Sequence, residues 1–103
     1  MKQIFENLRK SINIACLEKS DKAFLIAIEN TGFTSENVTS GSTYAVRYIK
    51  ADDKGARIVI DYRSVDPSGP FQNLPDINKY EIALEINGKT IEKYHYEYEW
   101  NSH

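Results

Sequence analysis

The sequence predicts an α+β fold in which an N-terminal helix, or two helices, packs on a mainly antiparallel four-stranded sheet. Three observations carry this expectation. Apolar residues recur every three to four positions at the start of the chain. From Tyr44 onward, stretches of apolar–polar alternation follow. Those stretches are broken by Asp52-Asp53-Lys54-Gly55 and by Asn87-Gly88, sequences that turn a strand back on itself. The 103 residues suit a single domain, 1–103, long enough to bury one core. Hydrophobic residues at 41% and charged residues of both signs at 27% describe a chain that folds rather than one too polar to do so.

The first element is an amphipathic helix over about residues 2–18. Ile4, Phe5, Leu8, Ile12, Ala15 and Cys16 share one side, while Lys2, Glu6, Arg9, Lys10 and Asn13 take the other. A stripe of that width covers the protein's own core. The stretch from Ser20 to Gly32 reads as a second helix, with Ser20 as a cap, Asp21 in the first turn and Gly32 as the stop. Its apolar run Ala23–Ile28 is equally compatible with a short buried strand, because six residues do not separate the two periods. The Ser/Thr/Asn/Gly-rich stretch from Thr34 to Ser42 is expected to be a surface connection.

Two hairpins follow. If Asp53, Lys54 and Gly55 form the first loop, Tyr48 faces Ile60 and Val46 faces Tyr62. The apolar sets of both strands then share a face, and a one-residue slip would set Val46 against Asp61. In the second hairpin, a three-residue loop of Ile86, Asn87 and Gly88 sets Leu84 against Thr90 and Tyr80 against Tyr94. Ile82, Leu84, Tyr94, Tyr96 and Tyr98 then line one face. A simple two-residue loop would mix that face with Lys89, Lys93 and His95, burying less apolar area. The opposite face carries Glu81, Glu85, Lys93, His95, Glu97 and Glu99. Between the hairpins, 66–75 holds all three prolines and is too broken for a strand; loops this long in small domains are often functional.

Several chemistries find no support in the residues. His95 and His103 are the only histidines and Cys16 the only cysteine, so no set has zinc-ligand spacing and no intrachain disulfide can form. Cys16 lies on the apolar stripe, where a thiol is structural rather than nucleophilic. The glycines are isolated, so no loop cradles a phosphate. Asp52-Asp53 lacks the alternating acids of a calcium loop, and no cofactor is implied. No basic stripe suits a nucleic acid, since the net charge is −2 and residues 76–103 hold three lysines against six acids. The N-terminus lacks the apolar run of a signal peptide, and no apolar run approaches the length of a membrane span. The expected location is the cytoplasm, and the Asn37-Val38-Thr39 sequon is read as coincidental.

What the residues favour is protein binding. The closing strand Tyr94-His95-Tyr96-Glu97-Tyr98-Glu99-Trp100 combines aromatic anchors with acids that steer a basic partner. A helical N-terminal part, a four-stranded meander with a Gly turn and a closing Tyr/Glu-rich strand resemble small bacterial immunity proteins. These accompany polymorphic toxins, including contact-dependent growth inhibition systems. The likeness spans roughly Tyr44 to Trp100 and rests on style, with no diagnostic motif to carry binding residues across. It implies a non-enzymatic protein that occludes the active site of a cognate toxin domain with a basic cleft. Glu81, Glu85, His95, Glu97, Glu99 and Phe71 are the candidate partner-binding residues. The alternative is a small ligand- or RNA-binding domain, with exposed strand aromatics beside Arg47, Arg57 and Arg63 stacking bases.

Overall fold

The apolar stripe of the first segment becomes helix α1, Lys2–Glu18, with Phe5, Leu8, Ile12 and Ala15 buried. A computed structural model describes residues 1–40, 43–65 and 76–100, and all their side chains except those of 37–40, 43, 44 and 65. Helix α1 ends on Lys19 in the left-handed conformation, φ 52°. There the Ser20 N–H donates to the Ala15 carbonyl at 3.0 Å and the Lys19 N–H to Cys16 at 3.4 Å. Helix α2, Lys22–Thr31, begins where Ser20 Oγ accepts the Lys22 N–H at 3.3 Å and stops on Gly32 at φ 79°. The run Ala23–Ile28 is therefore helical. The N-cap is Asp21, expected inside the first turn, rather than Ser20; Gly32 is the stop as expected, and the length suits three turns.

Five strands follow in simple meander order: β1 Thr34–Ser40, β2 Thr43–Ala51, β3 Ala56–Val65, β4 Asp76–Ile86 and β5 Lys89–Trp100, each antiparallel to the next. The α+β expectation holds, with two helices and five strands rather than four. The added strand is β1, in the stretch expected to be a connection. Thr34 pairs with Ile49 through to Ser40 with Thr43, and Thr34 Oγ1 also donates to the Ile49 carbonyl at 3.1 Å. An edge strand needs little apolar area, so β-branched Thr34, Val38 and Thr39 suffice where turn-type composition suggests a loop.

The first hairpin has the expected register, Val46 opposite Tyr62 and Tyr48 opposite Ile60. Asp52 Oδ1 accepts the N–H groups of Lys54 and Ala56, both at 2.9 Å. Gly55, at φ 88°, passes so close to Asn87 that a Cβ there would run into its side-chain oxygen. The Asn87 N–H donates to the Gly55 carbonyl at 2.8 Å, locking the two turns together.

The second hairpin corrects the expected loop. Asn87 and Gly88 form a two-residue turn, both with positive φ (51° and 80°), and Ile86 faces Lys89. This is the conformation Asn-Gly favours. A bulge opposite Leu84/Glu85 then inserts one residue into β5, so Leu84 faces Glu92 and Tyr80 faces Tyr96, not Tyr94. The bulge restores the parity that the short turn would break. Ile82, Leu84, Tyr94, Tyr96 and Tyr98 still share the helix-facing side, as burial requires.

Both helices lie on that one side. Phe24 of α2 is fully buried between Tyr48, Tyr62 and Tyr80, at ring-centroid distances of 5.7, 5.5 and 5.0 Å. Arg9 of α1 lies 3.5 Å over the Tyr94 ring and donates to the Tyr96 hydroxyl at 3.1 Å, fastening α1 to β5. Among the described residues, no helix is long and apolar enough to cross a membrane. Lys19 adopts a backbone conformation that favours glycine. Lys19→Gly should therefore stabilise the fold by about 0.5–1 kcal/mol in denaturant titrations, relief of strain outweighing the entropy of the more flexible unfolded chain.

Candidate functional site

The face of the sheet turned away from the helices is open. One cross-strand row traverses it: Glu36 on β1, Arg47 on β2, Asp61 on β3, Glu81 on β4 and His95 on β5. Parity puts these residues outside, since their neighbours Val46, Ile60, Tyr62, Tyr80 and Ile82 are the buried ones. With Arg63 and Lys79 of the adjoining row they line a hollow of about 380 Å³. Asp61 and Glu81 stand directly opposite one another, an arrangement that repels unless each finds a cation. Arg47 grips Asp61 with two hydrogen bonds, at 2.8 and 3.3 Å, and Lys93 holds Glu81 at 2.5 Å. These contacts raise the Arg47 and Lys93 pKa values. Arg63 and Lys79 are also direct cross-strand partners, and among the described residues neither has an ion-pair partner.

The sequence-derived candidates Glu81, Glu85, His95, Glu97 and Glu99 do share this face, but they are not equivalent. Glu85 is bridged by Arg57 at 2.5 Å and Glu81 by Lys93, while Glu97 meets only His95, at 3.3 Å. Glu97 and Glu99 are exposed at one end of the edge strand β5. The four acids are thus partly neutralised in place rather than forming one acidic field. Phe71 lies outside the described residues.

Charge divides across the face. Strands β2 and β3 present Arg47, Arg57 and Arg63 against Asp61, whereas β4 and β5 present Glu81, Glu85, Glu97 and Glu99 against Lys79 and Lys93. The cross-strand pairs are solvent-exposed, and such pairs contribute roughly 0–1 kcal/mol each. Among the described residues, no group of three or more His, Cys, Asp or Glu is placed to hold a metal. Burial raises the Cys16 pKa, which keeps it a thiol at neutral pH.

A second polar cluster lies inside, and its centre is a residue that strand alternation does not single out. Asn78 is only 4% exposed. Its Nδ2 donates to the hydroxyls of Tyr98 at 2.7 Å and Tyr62 at 3.3 Å. Its Oδ1 accepts from Ser64 Oγ at 2.9 Å and Trp100 Nε1 at 3.2 Å. Tyr62 also donates to Asp21, just before α2, at 2.9 Å. The trace of this cluster in the sequence is the inward row of β4, where Asp76, Asn78 and Tyr80 precede Ile82 and Leu84. With four bonds made, the amide has no capacity left for a ligand, so this cluster organises the core. Comparison of the chain with family models, curated proteins and solved structures finds no match.

Asn78→Ala should cost about 3–5 kcal/mol, because it strands several buried donors and acceptors at once. A denaturant titration should show this as a lower midpoint at unchanged slope. A pH effect follows from the same cluster. Burial raises the Tyr62, Tyr80 and Tyr98 pKa values above the ordinary 10, with Asp21 reinforcing the effect at Tyr62. The folded state holds these protons more tightly than the unfolded state, so their contribution is complete below pH 10 and is lost as pH rises above it. Phenolate absorbance and circular dichroism should therefore change together in one cooperative alkaline transition.

Proposed function

We propose that this chain is a non-catalytic protein-binding domain of the immunity type, which neutralises a cognate toxin domain by laying its open sheet face over the toxin's active site. The observation that carries the reading is the charge-divided outer face, five strands wide and backed by a rigid aromatic core. Occlusion needs no nucleophile, metal or cofactor on the inhibitor. It needs a preorganised surface whose side chains lose little freedom on binding, and cross-strand ion pairs provide that.

The division of charge refines which acids meet a basic cleft. Glu97 and Glu99 stand at the end of β5 with no lysine or arginine in ion-pair contact among the described residues, although Lys79 lies across the strand from Glu97, so a toxin cation meets them without displacing an existing salt bridge. Glu81 and Glu85 are already bridged, and they act by holding Lys93 and Arg57 in place. The small-ligand reading also has an observation behind it. The hollow is lined by Arg63 and Lys79, opposed across the strands, and a small anion would relieve their repulsion.

Binding kinetics against the cognate toxin, measured at low and high salt, test the assignment. Glu97→Lys/Glu99→Lys should slow association about tenfold at low ionic strength, with the difference shrinking at high salt. The Glu81→Gln variant should change association far less. Unchanged association in the double variant would remove this face as the interface. Titration with small phosphates and carboxylates, with Arg63→Ala/Lys79→Ala as control, tests the other reading: saturable binding lost in the control would favour a ligand-binding domain.

A further inference from the structure

Helix α2 breaks two local rules at once. Apart from Lys22, its first two turns are apolar on every side: Ala23, Phe24, Leu25, Ile26, Ala27 and Ile28. Only Phe24 and Ile28 are buried among them, and Leu25 and Ile26 remain 40% and 48% exposed. A helix apolar on all sides is normally covered on all sides. Asp21 stands at the N-cap, but the charges within the helix itself run against its dipole. Lys22 occupies the first turn, where acids are favoured, and Glu29 sits near the end, where cations are favoured, with no acid in the first turn and no base in the last. Lys22, Leu25, Ile26 and Glu29 follow i, i+3, i+4, i+7 spacing, so they form one outward stripe. All four are exposed.

We infer that this stripe is the seat of a homodimer, α2 packing antiparallel on α2 of a second copy about a two-fold axis between Leu25 and Ile26. Three observations select a second copy. The stripe is self-complementary: reversing the helix places Leu25 against Ile26 of the other copy and Lys22 against Glu29, each pairing occurring twice, as an isologous interface requires. The antiparallel mate also corrects the reversed charges, bringing each Lys22 to the negative end of the other helix and each Glu29 to the positive end. The third observation is area. Helix α1 adds Ile14 and Leu17, 43% and 77% exposed, on its outward side. The four side chains expose on the order of 300 Å² of apolar surface, as much as the largest patch on many monomers. That supplies most of the apolar part of the roughly 800 Å² each partner buries in a standard interface. This surface is opposite the open sheet face, so the inference does not rest on the proposed function.

Sedimentation equilibrium on the whole chain tests it, with circular dichroism confirming the fold of each variant. Wild type should be dimeric with a dissociation constant of about 10 µM or tighter. Ile26→Glu should raise that constant by ~30-fold or more, as removal of a central apolar anchor does. Lys22→Glu, which replaces each attraction to Glu29 of the other copy with a repulsion, should raise it about tenfold, and Lys22→Glu/Glu29→Lys should return it to within about threefold of wild type. The charge exchange keeps the test decisive if Ile26→Glu fails to fold. The inference is overturned if wild type is monomeric at about 500 µM, whether or not another protein is found to cover α2. It is equally overturned if Ile26→Glu folds and stays dimeric, or if the double exchange fails to restore what Lys22→Glu loses.

Discussion

A core built from tyrosine must find partners for its buried hydroxyls. Tyr62, Tyr80 and Tyr98 are 5%, 0% and 7% exposed and pack ring to ring across β3, β4 and β5, Tyr62 tilted against Tyr80 and Tyr98 stacked on it from the next cross-strand row. Their rings provide the large apolar area that a 103-residue chain needs, but an unpaired phenol in that setting costs on the order of 1–3 kcal/mol. Asn78 meets the requirement at Tyr62 and Tyr98, while its oxygen takes Ser64 and Trp100. Asp21 accepts the Tyr62 hydroxyl's hydrogen bond from the helix side. The Tyr80 hydroxyl turns toward that of Tyr98, and burial of its whole ring supplies apolar area at the centre of the core. Strand pairing, helix placement and the end of β5 therefore converge on one amide. With all four of its bonds made, that amide specifies a unique arrangement more sharply than apolar packing alone.

The same parity that puts the tyrosines inside puts the charges outside, and this is why much of the fold was legible. Register in the first hairpin followed from matching Val46 and Tyr48 to Tyr62 and Ile60. A slip by one residue would bury Asp61, an error far larger than the small differences in turn energy. In the second hairpin the faces were legible but the loop was not. Burial fixes only whether a pairing is odd or even, so a three-residue loop and a two-residue turn followed by a bulge satisfy it equally. Asn87-Gly88 decides for the turn through its left-handed backbone, and the bulge absorbs the difference. β1 escaped notice because an edge strand is half-unpaired and half-solvated, so its sequence carries little of the alternation that identifies a central strand.

The surface was legible in placement but not in pairing. Strand alternation is enough to put Glu81, Glu85, His95, Glu97 and Glu99 on one face. It does not say that Arg57 from β3 would reach Glu85, or that Lys93 would hold Glu81, because those contacts depend on which strands become neighbours and on the corrected register. Had Tyr80 faced Tyr94, Glu81 would have stood opposite Lys93. In the structure it stands opposite His95 and reaches Lys93 on the diagonal. A two-residue difference in register thus changes which cross-strand contacts the acids make. The charge of an open sheet face is a tertiary property even when every residue on it can be named from the sequence.

Agreement between local preference and the final structure runs through most of the chain: Gly32 at the end of α2, Asn87-Gly88 at the turn, and the apolar stripe of α1. Where such agreement prevails, a local violation carries information, because natural sequences tolerate conflicts mainly where something outside the fold compensates them. Lys19 in a left-handed cap is one violation, and it is isolated. Helix α2 concentrates three: exposed Leu25 and Ile26, a lysine in its first turn just after the Asp21 N-cap, and a glutamate toward its negative end. Each disfavours the isolated monomer slightly, by a few tenths of a kcal/mol to about 1 kcal/mol for a charge near a helix end. Chance produces one such conflict readily. Three on a single stripe, with the symmetry that one antiparallel copy would relieve all of them, are explained together by one contact. In such a dimer the sheet faces would point away from the shared helices, leaving the charge-divided surface of each copy open to a partner.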